Sequence, residues 1–173
     1  MGIRMIKISV CDDDEGQLTF FKQCFMEYNE KHKEKIEANF YQSVQSLLNE
    51  KKFSPDVYFL DIELQDGNGL KLAGKIRTRN SKIPIVFITS HEEFMPEAFH
   101  VHAYQYLNEK KNAQAVENVL NQLADYFSEQ NQIFSFQTYG EMISLDCRDI
   151  ICFTSEKRKN IVIAESGEFE YYG

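Results

Sequence analysis

The sequence lacks any apolar run near the roughly 20 residues that a membrane-spanning helix requires, which argues against an integral helical membrane protein. Its N-terminus, MGIRMIKISVCDDD, turns acidic before a signal-peptide pattern can form, so a cytoplasmic protein with no membrane partner is expected. CxxC spacing is absent too. Cys11, Cys24, Cys147 and Cys152 lie scattered through apolar or amphipathic segments, and free, packed thiols are expected in place of disulfides or a zinc site. The histidines His32, His91, His100 and His102 have no metal-ligand spacing, and His91 reads as a loop residue. Positive charge is scarce: 19 Lys and Arg against 27 Asp and Glu give a net charge of −8, which excludes non-specific nucleic-acid binding by the surface as a whole. No internal repeat or low-complexity segment is present.

What the chain does contain is a series of short apolar runs of strand length: IKISVC (6–11), IEANFY (36–41), VYFLD (57–61), PIVFIT (84–89) and AYQYL (103–107). Helix-patterned segments separate them. Leu18, Phe21, Phe25 and Tyr28 form one apolar stripe, and Val116, Val119, Leu120, Leu123 and Phe127 form another. This alternation predicts a parallel α/β sheet, doubly wound and flavodoxin-like, over residues 1–127. VYFLD and PIVFIT are almost unbroken apolar runs, as expected of central strands covered on both faces, whereas the more polar AYQYL suits an edge. After a polar linker at 128–132, the segments IFSFQ, MISLDC, DIICF, NIVIAE and FEYY alternate in strand fashion, with Gly140 and Gly167 at turns. Residues 133–173 therefore read as a small all-β unit.

The chemistry concentrates at strand ends. In a parallel sheet, ligands bind at the carboxyl ends of the strands. The first strand ends in Asp12-Asp13-Asp14-Glu15; Asp14, with Gln17 three residues on, suits a helix cap, but capping does not account for the other acids. Neighbouring carboxylates repel each other, and a hard cation such as Mg²⁺ held among Asp12 and Asp13 would offset that repulsion. The third strand ends in Asp61, and the fourth delivers Thr89, with Ser90 behind it. With the first and third strands adjacent, these residues meet at one edge. Such a set suits phosphoryl transfer to a carboxylate, with Asp61 as nucleophile and Thr89 donating a hydrogen bond to a phosphoryl oxygen.

On these motifs, CDDD, FLDIELQDGNGLKLAGKIR, FITS and AYQYL in that order, residues 5 to about 127 resemble a response-regulator receiver domain of a two-component system. The resemblance implies a protein that accepts a phosphoryl group from a sensor histidine kinase in a Mg²⁺-dependent step and turns over no external substrate. It also implies Asp12, Asp13, Asp61 and the Glu63 backbone carbonyl as metal ligands, and Tyr106 as the switch aromatic. Receivers end their fifth strand with a Lys-Pro pair. Here YLNEKKN puts Glu109 at the expected lysine and has no proline, so Lys110 is the candidate to reach the phosphoryl group, with Lys111 next to it.

The tail, DIICFTSEKRKNIVIAESGEFEYYG, resembles the start of a LytTR-type DNA-binding domain of the accessory-gene-regulator kind, of which it covers less than half. Ser155, Glu156, Lys157, Arg158, Lys159 and Asn160 correspond to that family's first DNA-contacting loop. The tail carries seven acids against four bases, so poor DNA binding is expected of it as it stands. The resemblance implies homodimerisation on activation, and promoter binding where the LytTR domain is complete. The competing expectation is a stand-alone receiver that acts as a protein-interaction switch without DNA. Two other readings fail. DIELQDGNG has Leu72 where a calcium loop needs a bidentate Glu, and a haloacid-dehalogenase phosphatase would not need CDDD on the first strand.

Overall fold

The computed structural model of the chain describes residues 5–89, 92–107, 111–130, 133–138, 140–156 and 159–171. The chain forms two compact units, residues 1–121 and 122–173.

In the first unit, strands β1 (Met5–Cys11), β2 (Lys35–Tyr41) and β3 (Val57–Asp61) alternate with helices α1 (Glu15–Lys31) and α2 (Val44–Asn49). A two-stranded hairpin, β4 (Glu63–Leu64) and β5 (Gly67–Asn68), then leads into α3 (Gly69–Arg79). Strand β6 (Ile85–Ile88), helix α4 (Met95–His100) and strand β7 (Gln105–Leu107) follow, and helix α5 (Ala113–Gln130) begins in this unit and continues past residue 121. Five strands pair in parallel in the order β2-β1-β3-β6-β7, the expected doubly wound arrangement. The expected five strands are all present, β7 as a three-residue edge strand.

Strand alternation sorts the core. Phe59 meets Phe21 and Phe25 of α1 edge to face, with ring centroids 5.8 Å apart in each case. Leu60, its neighbour, turns to the opposite face and joins Leu47 of α2, Leu72 and Ile76 of α3 and Ala98 of α4. Both expected helix stripes are buried. Helix α1 starts where Asp14 caps it, accepting hydrogen bonds from the backbone N–H groups of Gly16 (2.8 Å) and Gln17 (3.3 Å). Arg77 of α3 fixes the connection from α4 to β7, donating to the carbonyls of Val101 and His102 at 2.8 Å each.

Two expectations need correction. Residues 128–130, read as linker, form the last turn of α5, because Glu and Gln are polar yet good helix formers and a solvated helix end carries no apolar signal. The segment 63–68 forms a hairpin whose two-residue strands are too short to show periodicity in the sequence. Not all the cysteines pack: all four are free thiols, but Cys147 and Cys152 are exposed while Cys11 is buried.

The second unit contains the antiparallel pair β8 (Ile133–Thr138) with β9 (Glu141–Asp146), and a three-stranded antiparallel sheet of β10 (Ile150–Glu156), β11 (Lys159–Ala164) and β12 (Gly167–Tyr171). Phe136, Leu145, Val162 and Ala164 form its small core, with Phe134, Phe169 and Tyr171 packed around it. Gly140 (φ 89°) and Gly167 (φ 139°) take the left-handed conformations that the two hairpin turns require.

Candidate functional site

Register places the acids. Cys11 of β1 pairs with Leu60 of β3, so the next residues in each chain, Asp12 and Asp61, leave the sheet side by side. Asp61 pairs in turn with Ile88 of β6, and Thr89 follows one residue on. Asp12, Asp61 and Thr89 are all buried at this carboxyl edge, and Asp13 is half-buried beside them. One carboxylate oxygen from each of Asp12, Asp13 and Asp61 lies within 4.8 Å of the other two.

Backbone groups hold the cluster. The Asp12 carboxylate accepts from the Asp14 N–H at 2.9 Å, and the Asp12 N–H donates to the Tyr41 carbonyl at 3.1 Å. Asp13 accepts from the Gln65 N–H, in the turn of the β4–β5 hairpin, at 3.0 Å. At the other end of that turn, Asp66 reaches 22 residues back to α2 and accepts from the Val44 and Gln45 N–H groups at 2.9 and 3.0 Å. These bonds hold the Asp66 carboxyl below the usual carboxylate range.

Gly69 fixes the height of Asp61. A Cβ on Gly69 would lie 2.0 Å from the Asp61 carbonyl oxygen, so the first residue of α3 presses directly on the backbone of Asp61, and its N–H donates to the Ile62 carbonyl at 2.9 Å. Thr89 is held from the other side, its N–H donating to the Leu107 carbonyl at 3.0 Å.

The edge is strongly negative. The Cys11 thiol, one residue before Asp12, is pushed up to about 12, first by burial and then by Asp66, Asp12, Asp61 and Asp13. It therefore stays protonated and acts as a packing group. The donor set, three carboxylates with no imidazole or thiolate, fits a hard divalent cation such as Mg²⁺.

Other expected residues fall as follows. Glu63 sits on β4 with its side chain exposed. Tyr106 lies on β7, half-buried, and packs on the core cluster that α3 and α4 cover. Ser90, His91, Glu109 and Lys110 lie outside the described residues. A cation that the sequence left in the background does reach the site's margin: the Lys111 Nζ lies 3.9 Å from the point that a Cβ on Gly16 would occupy, and the Asp14 carboxylate oxygen lies 3.0 Å from that same point. In the second unit Ser155 pairs with Asn160 and Glu156 with Lys159, and Lys157 and Arg158 between them lie outside the described residues. Lys159 forms an ion pair with Glu170 of β12 at 2.7 Å, and Asn160 is half-buried.

Comparison with known proteins places this edge in context. The family model described as response regulator receiver domain matches residues 8–121. An uncharacterized response regulatory protein of Yersinia pestis is 29% identical over 120 residues, covering 69% of this chain and 49% of that protein. The sensory transduction protein LytR of Staphylococcus haemolyticus is 32% identical over 111 residues, covering 64% of this chain and 42% of that protein. The chain thus spans about half or less of the length of these relatives. Among solved structures, the response regulatory domain of mrkE from Klebsiella pneumoniae matches with a TM-score of 0.62 at 23% identity, covering 72% of this chain and all of that one. The response regulator TrrA from Thermotoga maritima, solved in complex with Mg²⁺-BeF, matches with a TM-score of 0.59 at 22% identity, covering 69% and 99%. These structural likenesses concern the fold.

Proposed function

Since the chain belongs to the response regulator receiver family, we propose that Asp61 is a phospho-acceptor that takes a phosphoryl group from a phosphohistidine of a sensor kinase. The observation that carries this reading is the convergence of the Asp12, Asp13 and Asp61 carboxylates at the carboxyl edge of the sheet. In the step, an Asp61 carboxylate oxygen attacks phosphorus, the P–N bond breaks, and the imidazole leaves with the electron pair and takes up a proton from water. An ionised carboxylate is already a nucleophile and needs no general base. Asp12, Asp13, Asp61 and the Glu63 backbone carbonyl would hold Mg²⁺. When bound, the ion offsets repulsion between the carboxylates and the incoming phosphoryl oxygens.

Thr89 would donate its hydroxyl to a phosphoryl oxygen. Lys110, or Lys111 from the margin of α1, would supply the cation that Glu109 does not. The acyl phosphate carries a charge of about −2, which draws Thr89 toward it and lets Tyr106 repack at the face formed by α4, β7 and α5. Dimerisation follows as an output of that shift. The likeness to LytR proteins supports an output in transcription through a LytTR-type domain, to which the β10–β11 hairpin would contribute Lys157, Arg158, Lys159 and Asn160. The Lys159–Glu170 pair favours Lys157 and Arg158 over Lys159 as the phosphate contacts.

The test is the intact mass of the protein after incubation with acetyl phosphate, with and without Mg²⁺. We expect a single phosphoryl adduct that requires Mg²⁺, disappears in Asp61→Asn and forms more slowly in Lys111→Met. An adduct that persists in Asp61→Asn would sink the assignment.

A further inference from the structure

Helix α2 and the second half of α3 enclose a cavity of about 560 Å³, within the range of roughly 300–1,000 Å³ usual for small-molecule sites. It opens near the amino ends of β3 and β6, the opposite edge of the sheet from Asp61. Leu47 and Leu48 of α2, Ile76 of α3 and Ile83 give it apolar walls, and Tyr58 of β3 contributes a phenol.

Charge around it is unbalanced. Lys75 and Arg79, four residues apart on α3, both line the cavity, and neither forms an ion pair among the described residues. The acidic side chain in the lining, Glu50, is already occupied: its carboxylate accepts from the backbone N–H groups of Lys52 (2.6 Å) and Phe53 (3.3 Å). Arg79 is close enough to the Tyr58 phenol to oppose the upward push that burial, and then Tyr41, exert on it.

We propose that this cavity binds a small organic carboxylate with an apolar body, seated with its hydrocarbon on Leu47, Leu48, Ile76 and Ile83 and its carboxylate between Lys75 and Arg79. A planar guanidinium beside an ammonium matches a carboxylate in geometry and charge. The walls reward only a ligand that also has apolar surface to bury. The site is independent of the chemistry at Asp61.

The experiment is a titration of the ¹⁵N-labelled chain followed by amide chemical shifts. The probes are 2-naphthoate, the uncharged isostere 2-naphthamide, and acetate, which has the charge without the body. We expect saturable 2-naphthoate shifts confined to residues 47–58 and 75–83, at least about tenfold weaker binding of 2-naphthamide, equivalent to about 1.4 kcal/mol, and no saturation by acetate. Arg79→Gln, an exposed position, should leave the free spectrum native and bring 2-naphthoate down to the level of the amide. Leu48→Trp should fill the cavity and abolish both. Equal binding of the amide, saturation by acetate, shifts centred elsewhere, or unchanged binding in Arg79→Gln would each overturn the proposal.

Discussion

Gly69 is the residue on which the position of Asp61 rests. A methyl at 2.0 Å from the Asp61 carbonyl oxygen meets backbone, which cannot rotate away as a side chain would. Gly69→Ala must therefore push α3 away from β3 or displace Asp61. We expect a loss of about 1–3 kcal/mol in stability, the usual cost of overpacking a closed site, measured by urea denaturation. Acetyl phosphate labelling should slow by more than this destabilisation explains, because Asp61 leaves its register beside Asp12. At this scale much was legible from sequence. Asp12, Asp61 and Thr89 each follow an apolar run of strand length, and once the strand order is known the register brings them together. Lys111 was not legible, since which lysine approaches α1 depends on the path of the chain after β7, and no periodicity encodes that path.

Helix α2 spans only six residues, Val44–Asn49, and its first turn is held by Ser43 from within and by Asp66 from the β4–β5 hairpin. An acceptor at a helix N-terminus both satisfies open N–H groups and complements the dipole. The Asp66 carboxyl is held below its ordinary value by the Gln45 and Val44 amides. Its contribution to stability is thus complete above the ordinary carboxylate value, near pH 4, and is lost as pH falls through the lowered one. Asp66→Asn should unfold at a lower urea concentration than the parent at neutral pH, and the two midpoints should converge as the solution is acidified below about pH 4. A constant difference across that range would show that the carboxylate charge is not what holds α2. Elements with a strong apolar stripe were readable in advance, as Leu18, Phe21, Phe25 and Tyr28 show for α1. The hairpin and the last turn of α5 were not, because the first is held by three long-range hydrogen bonds between carboxylate side chains and backbone N–H groups and the second is polar on every side.

For the molecule as a whole, the net charge of −8 and the meeting of three carboxylates at one edge set a cost that a bound divalent cation removes. Mg²⁺ at matched ionic strength should raise the melting temperature in a saturable way. The gain is about 2.7 kcal/mol at a hundredfold excess over Kd, or roughly 5–10 °C for a chain of this size. Asp13→Asn should melt higher than the parent in the absence of Mg²⁺ and gain less from it. Calorimetry with KCl as the control for screening separates site binding from general ion effects. The division into a parallel α/β unit and a β unit was visible in the change from helical stripes to strict alternation near residue 130. The two compact units meet at residues 121/122, inside the continuous helix α5.

The bond from Asp66 to α2 also sets an order of events during synthesis. A helix of six residues is far below the roughly 12–15 needed for marginal stability alone, and one of its caps lies 22 residues downstream of Val44. On the ribosome, β1, α1 and β2 emerge with their partners close behind them, but α2 must wait until Asp66 has left the exit tunnel and the hairpin has closed. Until then Leu47 and Leu48 remain uncovered, and a pause in translation between Val44 and Asp66 would hold the nascent chain at its stickiest.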